Sequence, residues 1–181
     1  MDIYKLKWTR LQNEILRFLS INTGTSFNQR TIAKKLKVSP TAVSKALKEL
    51  EKSELIRINR DENMNLILVK FNRDSQKAID FKRTENLKMI YESGIVKFLE
   101  DNFPGSVIIL FGSYSYGEDT IDSDIDLSIV GCKEKSFNLE KFEKILKREI
   151  RINFYESFNK IHKNLRSNIF NGIILSGRIS L

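Results

Sequence analysis

The chain has 181 residues, 41% of them hydrophobic and 30% charged, with 31 basic against 23 acidic side chains and a net charge of +8. That length allows one large or two small domains, and the hydrophobic share suffices for two modest cores. No apolar run approaches the roughly 20 residues needed to span a bilayer, the first residues form no apolar signal segment, and the single cysteine, Cys132, excludes an intramolecular disulfide; the expected location is the cytoplasm, with no membrane partner.

In chain order, residues 30–36 carry apolar side chains at helical spacing, residues 37–39 make a turn, and residues 40–50 start a second helix. Ser39 is a good N-cap and Pro40 suits the first helical position. Val43, Leu47 and Leu50 face a core shared with Ile32, Leu36 and Val38, which leaves Thr41, Ser44, Lys45 and Lys48 outward. These hydroxyls and amines suit base edges and phosphates when a helix lies in the major groove. Residues 55–59 and 65–70 read as two strands around a polar turn at 60–64, with Arg57 and Arg60 completing the DNA-facing set.

Helix, turn, helix and hairpin is the order of a winged helix, and residues 8–71 resemble the winged helix-turn-helix domains of many prokaryotic regulators. The departure is Lys37, where such turns often carry glycine; the cost is small unless that position needs positive φ. Charge separates along the chain. Residues 1–70 hold 14 basic and 7 acidic side chains, residues 71–105 hold 6 of each, and residues 106–181 hold 11 and 10. A positive footprint confined to the first module points to a polyanion, here double-stranded DNA. Because helix-turn-helix proteins commonly read two half-sites, a homodimer is the expected assembly.

Residues 73–84 are polar and charged, whereas Leu87, Ile90, Tyr91, Ile95, Phe98 and Leu99 continue at helical spacing. A connecting helix kinked at Ser93-Gly94 is expected. The domain expectation is thus a winged helix at 1–72, connecting helices at 73–104 and a second domain at 105–181.

The second domain carries the chemistry. Residues 107–111 are an apolar, β-branched run that ends at Gly112-Ser113, a buried strand opening into a tight turn. Gly112 lets backbone approach a phosphate, Ser113 adds a hydroxyl, and amides at the helix start from Tyr114 to Gly117 suit a triphosphate. After ten intervening residues beyond Ser113, Asp124, Asp126 and Ser128 alternate with Ile125, Leu127 and Ile129. Both carboxylates therefore share one strand face, about 7 Å apart. Ser123, immediately before them, joins the nucleotide-binding set. Two adjacent carboxylates repel, and a divalent cation with oxygen ligands, Mg²⁺ or Mn²⁺, would neutralise them while bridging phosphate oxygens.

At these residues the chain resembles the nucleotidyltransferase superfamily of DNA polymerase β, above all its minimal members, whose signature is Gly-Ser, ten residues, then Asp-x-Asp. The resemblance covers residues 95–181 and implies a Gly-Ser turn holding the phosphates of an NTP, ATP first among them, and an Asp pair holding the metal. It also implies a third carboxylate on a neighbouring strand. Residues 149–154 read as that strand, but its polar face offers Glu149, Arg151 and Asn153, so Glu149 is the candidate only in a shifted register. The expected fold class is α+β: an N-terminal winged helix-turn-helix plus a polymerase β-like nucleotidyltransferase α/β domain with a small mixed sheet.

Glu118, Asp119 and Asp122 read as a solvated loop, and Cys132 as a small packing residue after the Asp126 strand. A helix is expected at 157–169 carrying His162, the only histidine, which speaks against zinc. Most of the 12 phenylalanines and 5 tyrosines read as core, with Tyr114 and Tyr116 kept open for base stacking. Residues 172–179 look like a closing strand or hairpin. Two functional classes stay open. One is a transferase moving a nucleoside monophosphate from an NTP to a hydroxyl of a protein, a small molecule or a nucleic acid end; minimal relatives paired with toxins act as antitoxins by such modification. The other is a nucleotide sensor that has lost turnover and adjusts DNA binding.

Overall fold

Local capping chemistry sets the three helices of the N-terminal half. Thr9 and Gln12 form a reciprocal capping box at the start of α1 (Arg10–Ile21), the Thr9 amide donating to Gln12 Oε1 at 2.7 Å. Asn28 Oδ1 accepts from the Thr31 amide at the start of α2 (Gln29–Leu36), and Ser39 Oγ from Ala42 at the start of α3 (Pro40–Lys52), with Pro40 in the first turn. The computed structural model describes residues 7–61 and 66–179 of the chain.

The expected helix pair is present. Val43, Ala46, Leu47 and Leu50 of α3 are buried with Ile32 and Ala33 of α2 and with Ile15, Leu16 and Leu19 of α1, whose helix joins the same core. Lys37, between α2 and α3, sits at φ 55 and ψ 44, so the turn does require the left-handed conformation, at a cost of about 1–2 kcal/mol for a residue with a side chain. The wing strands are β2 (Ile56–Asp61) and β3 (Leu66–Phe71), antiparallel; β3 is displaced by one residue from expectation, and β2 starts one residue later and ends two later. Arg60 and Asp61 belong to β2 rather than to the turn, because they pair with Ile67 and Leu66; positions 62–64 lie outside the described residues. A two-residue strand, β1 (Phe27–Asn28), adds to β3 and makes a three-stranded sheet of order β1-β3-β2. Nothing in so short a segment signals it in sequence.

Two compact units make up the chain, residues 1–82 and 83–181, with the division inside α4 (Gln76–Ser93). The segment expected to connect two domains, 73–104, is thereby shared between them. Ser93-Gly94 is a break and not a kink: α4 stops at Ser93, Gly94 adopts φ 79, and α5 (Ile95–Asn102) begins anew. Polar side chains of α4 are buried as well. Lys82 lies in the first unit with its ammonium donating to the Ser20 carbonyl at 2.7 Å and to Thr23 Oγ1 at 2.8 Å.

The second unit is built on a four-stranded sheet of order β6-β5-β4-β7. Strand β4 (Val107–Phe111) pairs antiparallel with β5 (Ile125–Val130) and with β7 (Ile173–Ser176); β5 pairs parallel with β6 (Ile150–Tyr155) after the crossover through α7 (Glu140–Leu146). This is the small mixed sheet expected. Val107, Ile109 and Phe111 pack with Ile161 and Ile169, the latter on α8 (Lys163–Phe170). Phenylalanines 98, 103, 137, 142 and 154 form a ring cluster with centroids 5.0–6.3 Å apart, so they are core packing and not a stacking platform. The helix expected at 157–169 is interrupted: a 3₁₀ turn at Phe158–Lys160 precedes α8, and exposed His162 caps the latter.

Candidate functional site

The turn after β4 is the short helix α6 (Gly112–Tyr116), closed by Gly117 at φ 77. Gly112 has φ 74, and a Cβ there would lie 2.5 Å from Asp126 Oδ2. Both facts exclude side chains at 112: the backbone is left-handed, and the carboxylate fills the space. Phe111 pairs with Asp126 across β4 and β5, which is how a turn and a carboxylate fourteen positions apart come into contact. Asp124 precedes β5 on the same face, and Ser128 follows, fully buried and, among the described residues, with no hydrogen-bond partner for its hydroxyl.

The neighbouring strand decides the electrostatics. In the parallel register Asp126 lies beside Arg151 and Ser128 beside Asn153, while the Ile125 amide donates to the Glu149 carbonyl at 2.9 Å. Arg151 Nη1 stands 3.0 Å from Asp124 Oδ2, and its Nε 3.4 Å from Glu149 Oε1. A guanidinium thus stands beside Asp126 where the resemblance implies an acid. Glu149, just outside the strand, is 63% exposed and held by that same arginine. Burial pushes the Asp126 carboxyl above its usual range, the Asp124 charge adds to this, and Arg151 opposes it.

Among the described residues there is no group of three or more His, Cys, Asp or Glu side chains that would hold a metal ion. Asp124 and Asp126 nevertheless fit Mg²⁺, which is held by one or two carboxylates with the remaining positions left to water and phosphates. Oxygen-only donors and mutual repulsion of the pair agree with that choice.

Other expected site residues divide. The Tyr114 ring is 1% exposed and belongs to the core, so stacking on a base falls away for it, whereas Tyr116 is half-buried. Gly117 is buried, Ser113 is half-buried, and Ser123 Oγ accepts from the Thr120 amide at 2.9 Å. Asp119 is no solvated loop residue. It is 1% exposed, accepts from Asn86 Nδ2 at 2.7 Å and meets Arg148 Nη2 at 3.4 Å, while Asn86 also donates to the Tyr114 carbonyl at 2.9 Å. This buried network fastens α6 to α4 and to the start of β6. Its members are far apart in sequence and sit among ordinary polar residues, so no periodicity marks them. Cys132 is partly exposed, and burial raises its thiol above the usual range. In the first unit, Thr41, Lys45, Lys48, Arg57 and Arg60 are exposed and Ser44 is half-buried; Arg57 is held by Asp74 at 2.6 Å.

Comparison with known proteins bears on both units. Residues 92–176 match the model of the Nucleotidyltransferase domain family, and residues 9–63 that of the MarR family. The chain joins a MarR-type winged helix to a nucleotidyltransferase domain. The resemblances read from the two sets of motifs are thereby borne out, as is the α+β fold class. The chain is 47% identical over 58 residues to the transcriptional regulator ZitR of Lactococcus lactis subsp. cremoris, a stretch that is 32% of this chain and 38% of that protein. Solved structures of Lactococcus lactis ZitR include a cysteine-to-serine mutant (30% identity, 55% of this chain and 64% of that one, TM-score 0.42) and the wild type in complex with DNA (35% identity, 42% and 49%, TM-score 0.34). The chain spans less than two thirds of the length of these relatives. Among the described residues, no helix is long and apolar enough to cross a membrane.

Proposed function

We propose that the second unit binds an NTP together with Mg²⁺ or Mn²⁺ and transfers its nucleoside monophosphate to a hydroxyl, while the first unit binds double-stranded DNA. The observation that carries the transferase reading is the packing of Gly112 against the Asp126 carboxylate, 2.5 Å from where a Cβ would be. It brings the phosphate-approaching turn and the Asp pair into one site, as the chemistry needs.

In the proposed reaction the acceptor oxygen forms a bond to the α-phosphorus, the bond from that phosphorus to the bridging oxygen breaks, and pyrophosphate leaves. Gly112 and Ser113 hold the phosphates, and Asp124 and Asp126 would hold the metal, which when bound neutralises charge on the phosphate oxygens. Glu149 would take the hydroxyl proton once freed from Arg151. The acceptor is a protein side chain, for which an antitoxin acting on its toxin is one setting, or a nucleic acid end. A second reading rests on Arg151. A guanidinium paired with Asp124 at 3.0 Å, where an acid is needed, suits a protein that senses nucleotide without turning it over.

For DNA, support comes from the MarR-family match, the exposed face of α3 and the net charge of +7 in residues 1–70. A regulatory role, by analogy with the transcriptional regulator it resembles, and a dimer reading two half-sites are part of this proposal.

Label transfer from each α-³²P-NTP, with Mg²⁺ or Mn²⁺, into host lysate and purified protein tests the reading. Label incorporated by the wild type but not by Asp124→Asn/Asp126→Asn supports the transferase. Metal-dependent NTP binding without label transfer supports the sensor.

A further inference from the structure

We propose that Arg151 is an internal counter-ion: it occupies the carboxylate site in the absence of ligand, keeps a bare divalent cation out, and moves to the phosphates when an NTP arrives with the metal. The inference rests on the reading of Asp124 and Asp126 as the metal-binding pair and concerns what this chain does differently there.

Three facts carry it. Arg151 is the register neighbour of Asp126 on β6, so its side chain projects from the same sheet face, and its Nη1 already lies 3.0 Å from Asp124 Oδ2. Its Nε also reaches Glu149, so a single guanidinium bridges two of the three acids at this end of the sheet. And the side chain is 60% exposed and, among the described residues, anchored through its own strand and these ion pairs, so it has freedom to swing without disturbing the core. The planar guanidinium fork pairs with phosphate, as with carboxylate, through two parallel N–H···O bonds.

The consequence is thermodynamic coupling. With Arg151 on Asp124, a cation entering alone must displace or sit beside a fixed positive charge. When a triphosphate is present, its negative oxygens give the guanidinium a better partner and release Asp124 to the metal. Metal and nucleotide therefore each bind more tightly in the other's presence than alone, by a reciprocal factor. The arginine in the place of the third acid then makes metal loading conditional on substrate.

The experiment is Mn²⁺ binding by electron paramagnetic resonance, with and without the α,β-methylene analogue of each NTP, on four full-length forms: wild type, Arg151→Gln, Arg151→Lys and Asp124→Asn/Asp126→Asn. Thermal melts establish that each is folded. The expected result is weak binding of Mn²⁺ alone by wild type, strengthened about tenfold or more by one analogue. Arg151→Gln is expected to bind Mn²⁺ alone about tenfold more tightly than wild type and to lose most of the analogue's effect, with Arg151→Lys in between. Equal Mn²⁺ affinity and equal coupling in wild type and Arg151→Gln, with binding abolished in the Asp double variant, overturns the role of Arg151 and leaves the metal site standing. Binding that survives in the Asp double variant, or is absent from every form with and without analogue, overturns the metal site itself.

Discussion

Replacing Gly112 with alanine tests the contact on which the second unit's chemistry depends. Two costs arise at once. Gly112 has φ 74, a conformation that costs a residue with a Cβ about 1–2 kcal/mol. The new methyl would also stand 2.5 Å from Asp126 Oδ2, 3.3 Å from its Cγ and 3.4 Å from its Cβ, so the whole carboxylate must move. Asp126 lies on β5, pairing with Phe111 on one side and Arg151 on the other, which leaves little backbone freedom, and overpacking of this kind costs about 1–3 kcal/mol. The sum is about 2–5 kcal/mol, localised to the second unit. Hydrogen exchange of the β4 and β5 amides, followed by mass spectrometry, reads it there: at about 1.4 kcal/mol per decade, the slowest amides should exchange at least about 30-fold faster. The two costs separate in a double-mutant cycle with Asp126→Gly. Removing the carboxylate abolishes the steric share and leaves the left-handed share, so the pair should show coupling of about 1–3 kcal/mol. Additivity of the two substitutions, or a Gly112→Ala cost below about 0.5 kcal/mol, would refute the packing argument.

Four further outcomes are expected. Lys37→Gly should stabilise the first unit by about 1 kcal/mol in urea unfolding followed by Trp8 fluorescence, because glycine adopts φ 55 without the side-chain penalty; a destabilised variant contradicts this. The Asp126 carboxyl titrates above its unfolded value, so the stability linked to it is fully present below the unfolded value and is lost as pH rises through the folded one. In metal-free buffer, Asp126→Asn should accordingly melt above wild type at neutral pH, with the gap closing on acidification; a gap that widens reverses the sign. Arg148→Leu removes the cation paired with the buried Asp119 carboxylate and should cost about 3–5 kcal/mol by calorimetry, much of it recovered in Arg148→Leu/Asp119→Leu; a single variant as stable as wild type denies the pair its role. Lys45→Ala and Lys48→Ala should each lower the slope of log affinity for duplex DNA against log salt by about 1, and an unchanged slope removes them from the DNA face.

What was legible in the sequence is what depends on neighbours along the chain. Ser39 and Pro40 start α3 because capping needs only an oxygen and a fixed φ within one turn, and the Gly-Ser turn and Asp-x-Asp pair declare themselves because strand alternation and spacing are local rules. The same rules placed α2, α3 and strands β4 to β6 within a few residues, and they named Gly112, Asp124 and Asp126 together. Tertiary structure alone decided the rest. The parallel register of β5 and β6 put Arg151, and not Glu149, beside Asp126: the two lie on one strand face, so alternation cannot choose between registers two residues apart, and only the pairing in the assembled sheet selects one. Asp119 passed for a loop carboxylate until Asn86 and Arg148, 33 and 29 positions away, met it in the interior, and Tyr114 left the list of stacking candidates because its ring fills the core. Burial and ion pairing between distant segments are properties of the packed chain, and the amino-acid order carries them only through the fold it produces.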